Sequence, residues 1–369
     1  MLLKSKKLYL CTANRKTQRL PQLKGMMDTE KQILGLIKAF QEIQNLLHKA
    51  ASEPALQEQF QTVLTRAQQE NPWFTQENLK FALEQWAQLL TRENIKAWLS
   101  NYRTAKIPKK VGLILAGNIP IVGFHDVLSV ILSGNIPMIK MSSKDRLLLP
   151  FILKQWSLYS EGNIKYELVE KLQDYDAVIA TGSNNTARYL EYYFKDTQHI
   201  IRKNRTSVAV LTGDETDEEL KSLGEDVFRY FGMGCRNVTQ LLIPEDFSLD
   251  RIFENFTTFS DIINHNSYAN NYDYHKAIYL LNQEKFWDNN VVMMKEETQL
   301  FSPLSVLYFS RYNNQQEVHD FLEQNTQNIQ CVVAKPELAM ESVYFGETQK
   351  PSLTDYADKT DTMRFLELL

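Results

Sequence analysis

Cysteine is scarce in this 369-residue chain: Cys11, Cys235 and Cys331 are far apart and odd in number. That argues against a disulfide framework and points to a reducing compartment, taken here as the cytoplasm. No Cys-x-x-Cys and no His-Glu-x-x-His occurs, so a zinc site has no support. Gly-x-Gly-x-x-Gly after a strand is missing, as is Gly-x-x-x-x-Gly-Lys-Ser/Thr, so the usual glycine signatures for dinucleotides and nucleoside triphosphates are absent. Charge of one sign is not in excess either. With 41 Lys and Arg against 45 Asp and Glu, the net charge is -4. Nothing there favours a nucleic acid or an anionic membrane as partner.

An uninterrupted membrane-spanning run is also lacking. Residues 111–139 are strongly apolar, but Gly117, Asn118, Pro120, Gly134, Asn135 and Pro137 punctuate them. A spanning helix could not satisfy a backbone broken that often. Two short buried strands around one buried helix explain the run better.

What is present is ordinary for a globular chain: 43% apolar and 23% charged residues, and length enough for two domains. The first residues differ. Lys4, Lys6, Lys7, Arg15, Lys16, Arg19 and Lys24 precede the first acid, Asp28, without the apolar core of a secretory signal. Residues 1–26 are read as a disordered extension, with Met26 or Met27 as alternative starts.

From Thr29 to Leu99 apolar residues recur at three and four, as in Ile33, Leu34, Ile37 and Phe40, which predicts helices parted at Asn71-Pro72. After Pro108 the pattern becomes strand, turn, helix. Strands are expected at Val111–Ala116, Pro137–Met141, Ala177–Ala180, Ile200-Ile201, Val208–Leu211 and Gln240–Ile243. Helices are expected at Val122–Leu132, Thr186–Phe194, Glu215–Phe231 and Leu249–Ile263, with another capped by Ser142 or Ser143. Beyond these, Val291–Met294, Leu304–Tyr308, Val318–Leu322 and Cys331–Val333 continue the alternation. The class is α/β with parallel, right-handed crossovers.

One cysteine has unusual neighbours. Phe231-Gly232-Met233-Gly234-Cys235-Arg236-Asn237 sets Cys235 between glycines and an arginine. Glycines allow a tight turn and close approach of a substrate, and a guanidinium near the sulfur favours the thiolate. A free cysteine is more commonly a small buried hydrophobe. Cys331, inside an apolar strand, fits that description.

Five segments in order resemble the acyl-CoA reductase (LuxC-type) family of the aldehyde dehydrogenase superfamily: "LAGNIPIVGFHDVLSVILSGN", "IKMSSKD", "ATGSNNTARYL", "RYFGMGCRNVTQ" and "PSLTDYADKTDTMRFLEL". The resemblance covers residues 30–369. It implies a Rossmann-like cofactor domain with N-terminal helices at 27–205 and an α/β catalytic domain at 206–340. A tail at 341–369 would dock on the cofactor domain or a neighbouring subunit. The implied activity is NADPH-dependent reduction of a long-chain fatty acyl-CoA to the aldehyde through a cysteine acyl-enzyme. Alternatives are aldehyde oxidation, acyl-phosphate reduction, or a non-catalytic acyl- or nucleotide-binding protein on the same fold. A homo-oligomer and an acyl-activating ligase partner are also implied.

The same resemblance assigns roles. Cys235 is the nucleophile, and Asn118 stabilises the oxyanion together with the Cys235 N–H. Lys140 and Ser142 meet the adenosine ribose. No acid stands at that strand end before Asp145 to grip a free 2′-hydroxyl, which favours a 2′-phosphate and NADPH. Thr181, Gly182 and Ser183 form the turn near the pyrophosphate, or an ordinary cap. Gln299 stands where the superfamily has an acid for the nicotinamide ribose. The stretch Ile200–Arg205, where hydrolytic relatives carry a general base, holds no acid. A water-activating base would hydrolyse an acyl-enzyme, so its absence favours reduction. Of the six histidines, His125 is nearest in sequence to the Asn118 turn, while His265 and His275 fall in the later domain.

Overall fold

The computed structural model describes residues 28–50, 53–338 and 341–369. The expected N-terminal extension, including Cys11 and the alternative starts, lies outside them. Four helices lead: α1 (Thr29–Leu47), α2 (Pro54–Glu70), α3 (Gln76–Leu89) and α4 (Arg92–Leu99). The Asp28 carboxylate accepts from the N–H groups of Glu30 and Lys31, so α1 starts there. Its buried stripe, Ile33, Leu36, Phe40, Ile43 and Leu46, follows the helical repeat. The two helical regions expected before Leu99 divide further, at the caps His48 and Leu90.

The first sheet grows from β1 (Lys110–Ile114), α5 (Phe124–Leu132), β2 (Ile136–Lys140), α6 (Leu148–Tyr159), β3 (Glu167–Leu168), β4 (Ala177–Thr181), α7 (Asn184–Tyr193) and β5 (Gln198–Arg202). Its order is β3-β2-β1-β4-β5 and every pairing is parallel. One face packs on α1–α6 and the other carries Phe194 and Leu190 around α7. Coverage of both faces explains why these strands read as continuous apolar runs. Strand order reverses between β1 and β4, and ligands of open α/β sheets bind at that point, beyond the carboxyl ends of the strands. The loops there carry Asn118 and Thr181–Ser183.

The second sheet uses β6 (Thr206–Val210), α8 (Asp217–Phe228), β7 (Val238–Pro244), α9 (Leu249–Phe256), α10 (Asn266–Leu281), β8 (Trp287–Asp288), β9 (Met293–Glu296), β10 (Val306–Tyr312), α11 (Gln315–Gln324) and β11 (Ile329–Val333). Its order is β11-β6-β7-β10-β9-β8, antiparallel only at β8. β5 ends at Arg202 and β6 begins at Thr206, so the carboxyl edge of one sheet abuts the amino edge of the other. The loop before β7, with Cys235, lies at that amino edge.

Two expectations need correction, and one helix was not expected. Neither Ser142 nor Ser143 caps a helix. α6 begins at Leu148 with no side-chain cap, and Ser142 instead closes a tight turn, its Oγ accepting from Lys144 N–H. The helix expected to reach Phe231 stops at Phe228, because Tyr230 and Phe231 turn left-handed at φ 54° and 59°. Helix α10 has no aliphatic repeat to announce it, since its buried face is Tyr268, Tyr272 and Tyr279. Among the described residues no helix is long and apolar enough to cross a membrane.

The chain ends in α12 (Thr362–Glu367). Leu353, Tyr356, Met363 and Leu366 are buried in the core of the first sheet and its helices. Trp98 Nε1 donates to the Tyr356 hydroxyl at 2.7 Å, and Tyr102 donates to Asp361 at 2.9 Å.

Where α1 crosses α6, a Cβ on Gly35 would lie 2.6 Å from the Ser160 backbone nitrogen. Alanine gains about 1 kcal/mol of helix propensity over glycine, but overpacking against backbone costs about 1–3 kcal/mol. Gly35→Ala should therefore lower stability by up to a net ~2 kcal/mol in urea unfolding. A stabilised variant would show that the two helices can separate freely.

Candidate active site

After β1 the chain makes a close turn. A Cβ on Gly117 would sit 2.5 Å from Ser142 Oγ, so only glycine fits. Ile121 has φ 48°, in the left-handed region, and its N–H donates to the Asp145 carboxylate at 2.6 Å. Asp145 thus grips the turn from below. Its second oxygen is buried without a protein partner, and burial pushes the carboxyl up to about 6. The turn presents Asn118, whose Nδ2 donates to Met233 O at 2.8 Å. One amide proton therefore ties the first sheet to the cysteine loop, and the other makes no hydrogen bond among the described residues.

The cysteine loop rests on Asn237. Its Oδ1 accepts from Gly234 N–H at 2.8 Å, and its Nδ2 donates to Asp226 O at 3.0 Å and Arg229 O at 2.8 Å. A Cβ on Gly234 would meet Asn237 Oδ1 at 2.9 Å, while Gly232 has φ 77°. The two glycines thus serve different ends, one for close approach and one for the turn. Ser207 Oγ donates to Cys235 O at 3.2 Å and lies 3.0 Å from Cys331 Sγ. Burial pushes the Cys235 thiol above its ordinary range, the Arg236 and Arg202 guanidiniums pull it down, and Asp358 and Cys331 push it up.

Two cavities meet at Cys235. The first, of about 840 Å³, is lined by Asn118, Ser142, Lys144 and the Thr181–Ser183 turn, and then by Phe301–Val306. The second, of about 390 Å³, is walled by Trp86, Leu89, Ile119, Ile121 and Tyr230, with Gln85, Asn94 and Gln349 among the polar groups. Cys235, Gly234 and Arg202 line both. Of the residues singled out in the sequence, Cys235, Asn118, Ser142, Thr181, Gly182 and Ser183 converge on the first cavity. Lys140, exposed at the end of β2, and Gln299, exposed between β9 and β10, lie outside its lining. Ser183 caps α7 by accepting from Thr186 N–H at 3.3 Å. The cap and the cavity wall are the same turn.

Sequence reasoning missed Arg202 and Arg205, and it gave the tail a docking place but no residue in the site. Arg202, at the end of β5, is buried and pairs with Asp126 at 2.6 Å. It also donates to Ala357 O at 3.0 Å and Thr362 Oγ1 at 2.9 Å. Arg205 pairs with Asp358 at 3.1 Å, and Asp358 lines the first cavity. The stretch Ile200–Arg205 supplies no acid, but the C-terminal segment brings one to the same place. The only sequence signal was the basic run Arg202-Lys203-Asn204-Arg205 at a strand end. His125 and His265 are packed groups. His125 lies against Trp98 and Tyr356 with Nε2 3.0 Å from Leu353 O, and burial pushes its pKa down, keeping the ring neutral. His265 stacks on Trp73 and Phe231.

The acyl-CoA reductase (LuxC) family model matches residues 31–251, from α1 into α9, with both the Asn118 and Cys235 loops inside the match. The chain belongs to this family. Membership makes it an oxidoreductase of aldehyde chemistry. Solved structures share the fold at low identity. An indole-3-acetaldehyde dehydrogenase complexed with NAD+ is 12% identical, with a TM-score of 0.58 over 84% of this chain and 72% of that one. The aldehyde dehydrogenase KauB from Pseudomonas aeruginosa is 11% identical, with a TM-score of 0.58 over 83% and 72%. A mutant of aldehyde dehydrogenase C from Pseudomonas syringae, complexed with NAD+ and octanal, is 12% identical, with a TM-score of 0.58 over 85% and 73%. No curated protein matches the sequence.

Asp145 gives this LuxC-family site a pH signature. Its folded pKa lies above its ordinary value of 3.8, so the stability it contributes is full below about pH 4 and is lost as pH rises to about 6. A neutral amide in place of the acid would escape that loss, so Asp145→Asn should gain on the parent across this window, by on the order of 3 kcal/mol at most. Urea midpoints of the two proteins at pH 4 and pH 7 check this. An equal gap at both would contradict it.

Proposed function

We propose that the protein reduces a long-chain fatty acyl-CoA to the aldehyde with NADPH, through a thioester on Cys235. The observation that carries this reading is the position of Cys235 on the wall shared by two unlike cavities. The second is apolar enough for an acyl chain. The first has the build of a nucleotide site, with a strand-to-helix turn beneath α7 and Lys144 and Lys203 in its lining.

The residues present fit a dinucleotide bearing a 2′-phosphate. Ser142 and Lys144 stand on the cavity wall, just past the end of β2. The nearest acid, Asp145, is spent on the Ile121 N–H and cannot also grip a ribose hydroxyl through that oxygen. When bound, NADPH supplies the hydride that takes the thioester to the aldehyde level. The protein's own part is positional and electrostatic. The Cys235 sulfur attacks the acyl carbonyl, and coenzyme A leaves with the thiol proton. The free amide proton of Asn118 and the Cys235 N–H stabilise the negative oxygen. Arg202 and Arg205, not a free carboxylate, occupy the end of β5, so water is not activated against the acyl-enzyme.

Cys235→Ala should abolish steady acyl-CoA reduction. Asn118→Ala should lower kcat about 10²–10³-fold while leaving Cys235 open to alkylation. NADPH should serve with a lower KM than NADH. Undiminished turnover by Cys235→Ala would end this account, and a coenzyme preference for NADH would overturn its NADPH assignment.

A further inference from the structure

The C-terminal segment does more than close the core. Between Ser352 and Thr362 it touches each of the three arginines around the nucleophile. Their charges have different fates. Arg202 is neutralised by Asp126 and Arg205 by Asp358. Arg236 is held by a neutral group, the carbonyl of Asp355, at 3.2 Å, and no ion pair to it is found among the described residues. Its charge therefore remains free to act on the neighbouring sulfur.

The carbonyl that holds Arg236 is itself fixed. The Asp355 carboxylate accepts from Ser352 N–H at 2.7 Å, and Asp355 N–H donates to Ser352 O at 3.2 Å. The turn so formed is anchored at Leu353, whose side chain is buried and whose carbonyl meets His125. The Asp355 carboxylate is thus held by its own turn, and among the described residues it makes no ion pair with Arg236.

We propose that the turn Ser352–Asp355 aims the unpaired Arg236 at Cys235, and that Asp355 is a positioning residue for the nucleophile. The proposal rests on Cys235 being the reactive thiol. The titratable groups whose charge bears on that sulfur are Arg236 on its own loop, Asp358 from the tail, Cys331 from β11 and Arg202 from β5. Asp126 stands behind Arg202, and Arg205 behind Asp358. Of the other titratable groups, Lys144 and Lys203 line the first cavity, and His125 and Lys350 the second.

Opposite charges predict opposite shifts, which a general loosening of the site cannot produce. The test is the rate of iodoacetamide labelling of the Cys235 peptide against pH, read by mass spectrometry on the full-length chain. Arg236→Gln should move the profile to higher pH, by about half to one unit, or roughly a three- to tenfold slower labelling at fixed pH. Asp355→Ala should move it the same way by less, and Arg236→Lys should restore part of the shift. Asp358→Asn should move it to lower pH. Thermal melts identify any variant that has failed to fold, and Asp358→Asn still reads the field if Asp355→Ala is lost. A profile unmoved by Arg236→Gln or by a folded Asp355→Ala would overturn the proposal, as would an upward shift in Asp358→Asn. Absence of an acyl adduct on Cys235 with these shifts intact would instead count against the reductase reading.

Discussion

The guanidinium of Arg202 sits where two sheets, one helix and the chain's end come together, and the site takes its shape from how that charge is satisfied. A buried cation is tolerable only when paired and hydrogen-bonded. Here Asp126 from α5 supplies the charge, and Ala357 and Thr362 supply oxygens from the tail. Removing one member of such a buried pair costs about 3–5 kcal/mol, so the three elements are locked to one another. That lock holds the carboxyl edge of the first sheet against the amino edge of the second. Cys235 and Asn118 approach across this seam, joined by the bond from Asn118 to Met233 O.

The seam also explains the electrostatics of the thiol. Sealing Cys235 between two cavities raises the cost of its thiolate, and burial is the largest influence on it. On the proposed function, a fold that buries this thiol must return some charge to it. It does so with an arginine whose partner is a carbonyl, while the other two arginines are balanced by carboxylates. A half-buried thiol that resists ionisation is protected from adventitious chemistry, and one flanked by a fixed cation remains able to react.

Much of the architecture was legible. Parallel strands covered on both faces read as apolar runs, and Gly117, Gly134, Gly182 and Gly232 mark where the chain turns. Cys235 and Asn118 stand out because each lies in such a turn, next to a run that must be a buried strand. What stayed hidden depends on distance along the chain. Arg202 finds Asp126 across 76 residues and Ala357 across 155, and no local pattern encodes either pairing. The acid in the cavity, Asp358, comes from a tail that was expected to dock on the cofactor domain or a neighbouring subunit, but nothing in its sequence marks Asp358 as the residue that enters the site. Helix α10 was missed because tyrosine can be core or surface, and its apolar face contains little else. Lys140 and Gln299 show the converse limit. A motif places a residue near a strand end, but not on the wall of a cavity.

The central claim is that Cys235 carries the acyl group and gives it up to hydride. The measurement that tests it most directly is intact and peptide mass after mixing the protein with a long-chain acyl-CoA, followed by a chase with NADPH. The account predicts one acyl adduct, on the Cys235 peptide, that disappears with release of free aldehyde. An alkylatable Cys235 that never acquires the adduct, or an adduct that survives the chase, would contradict it.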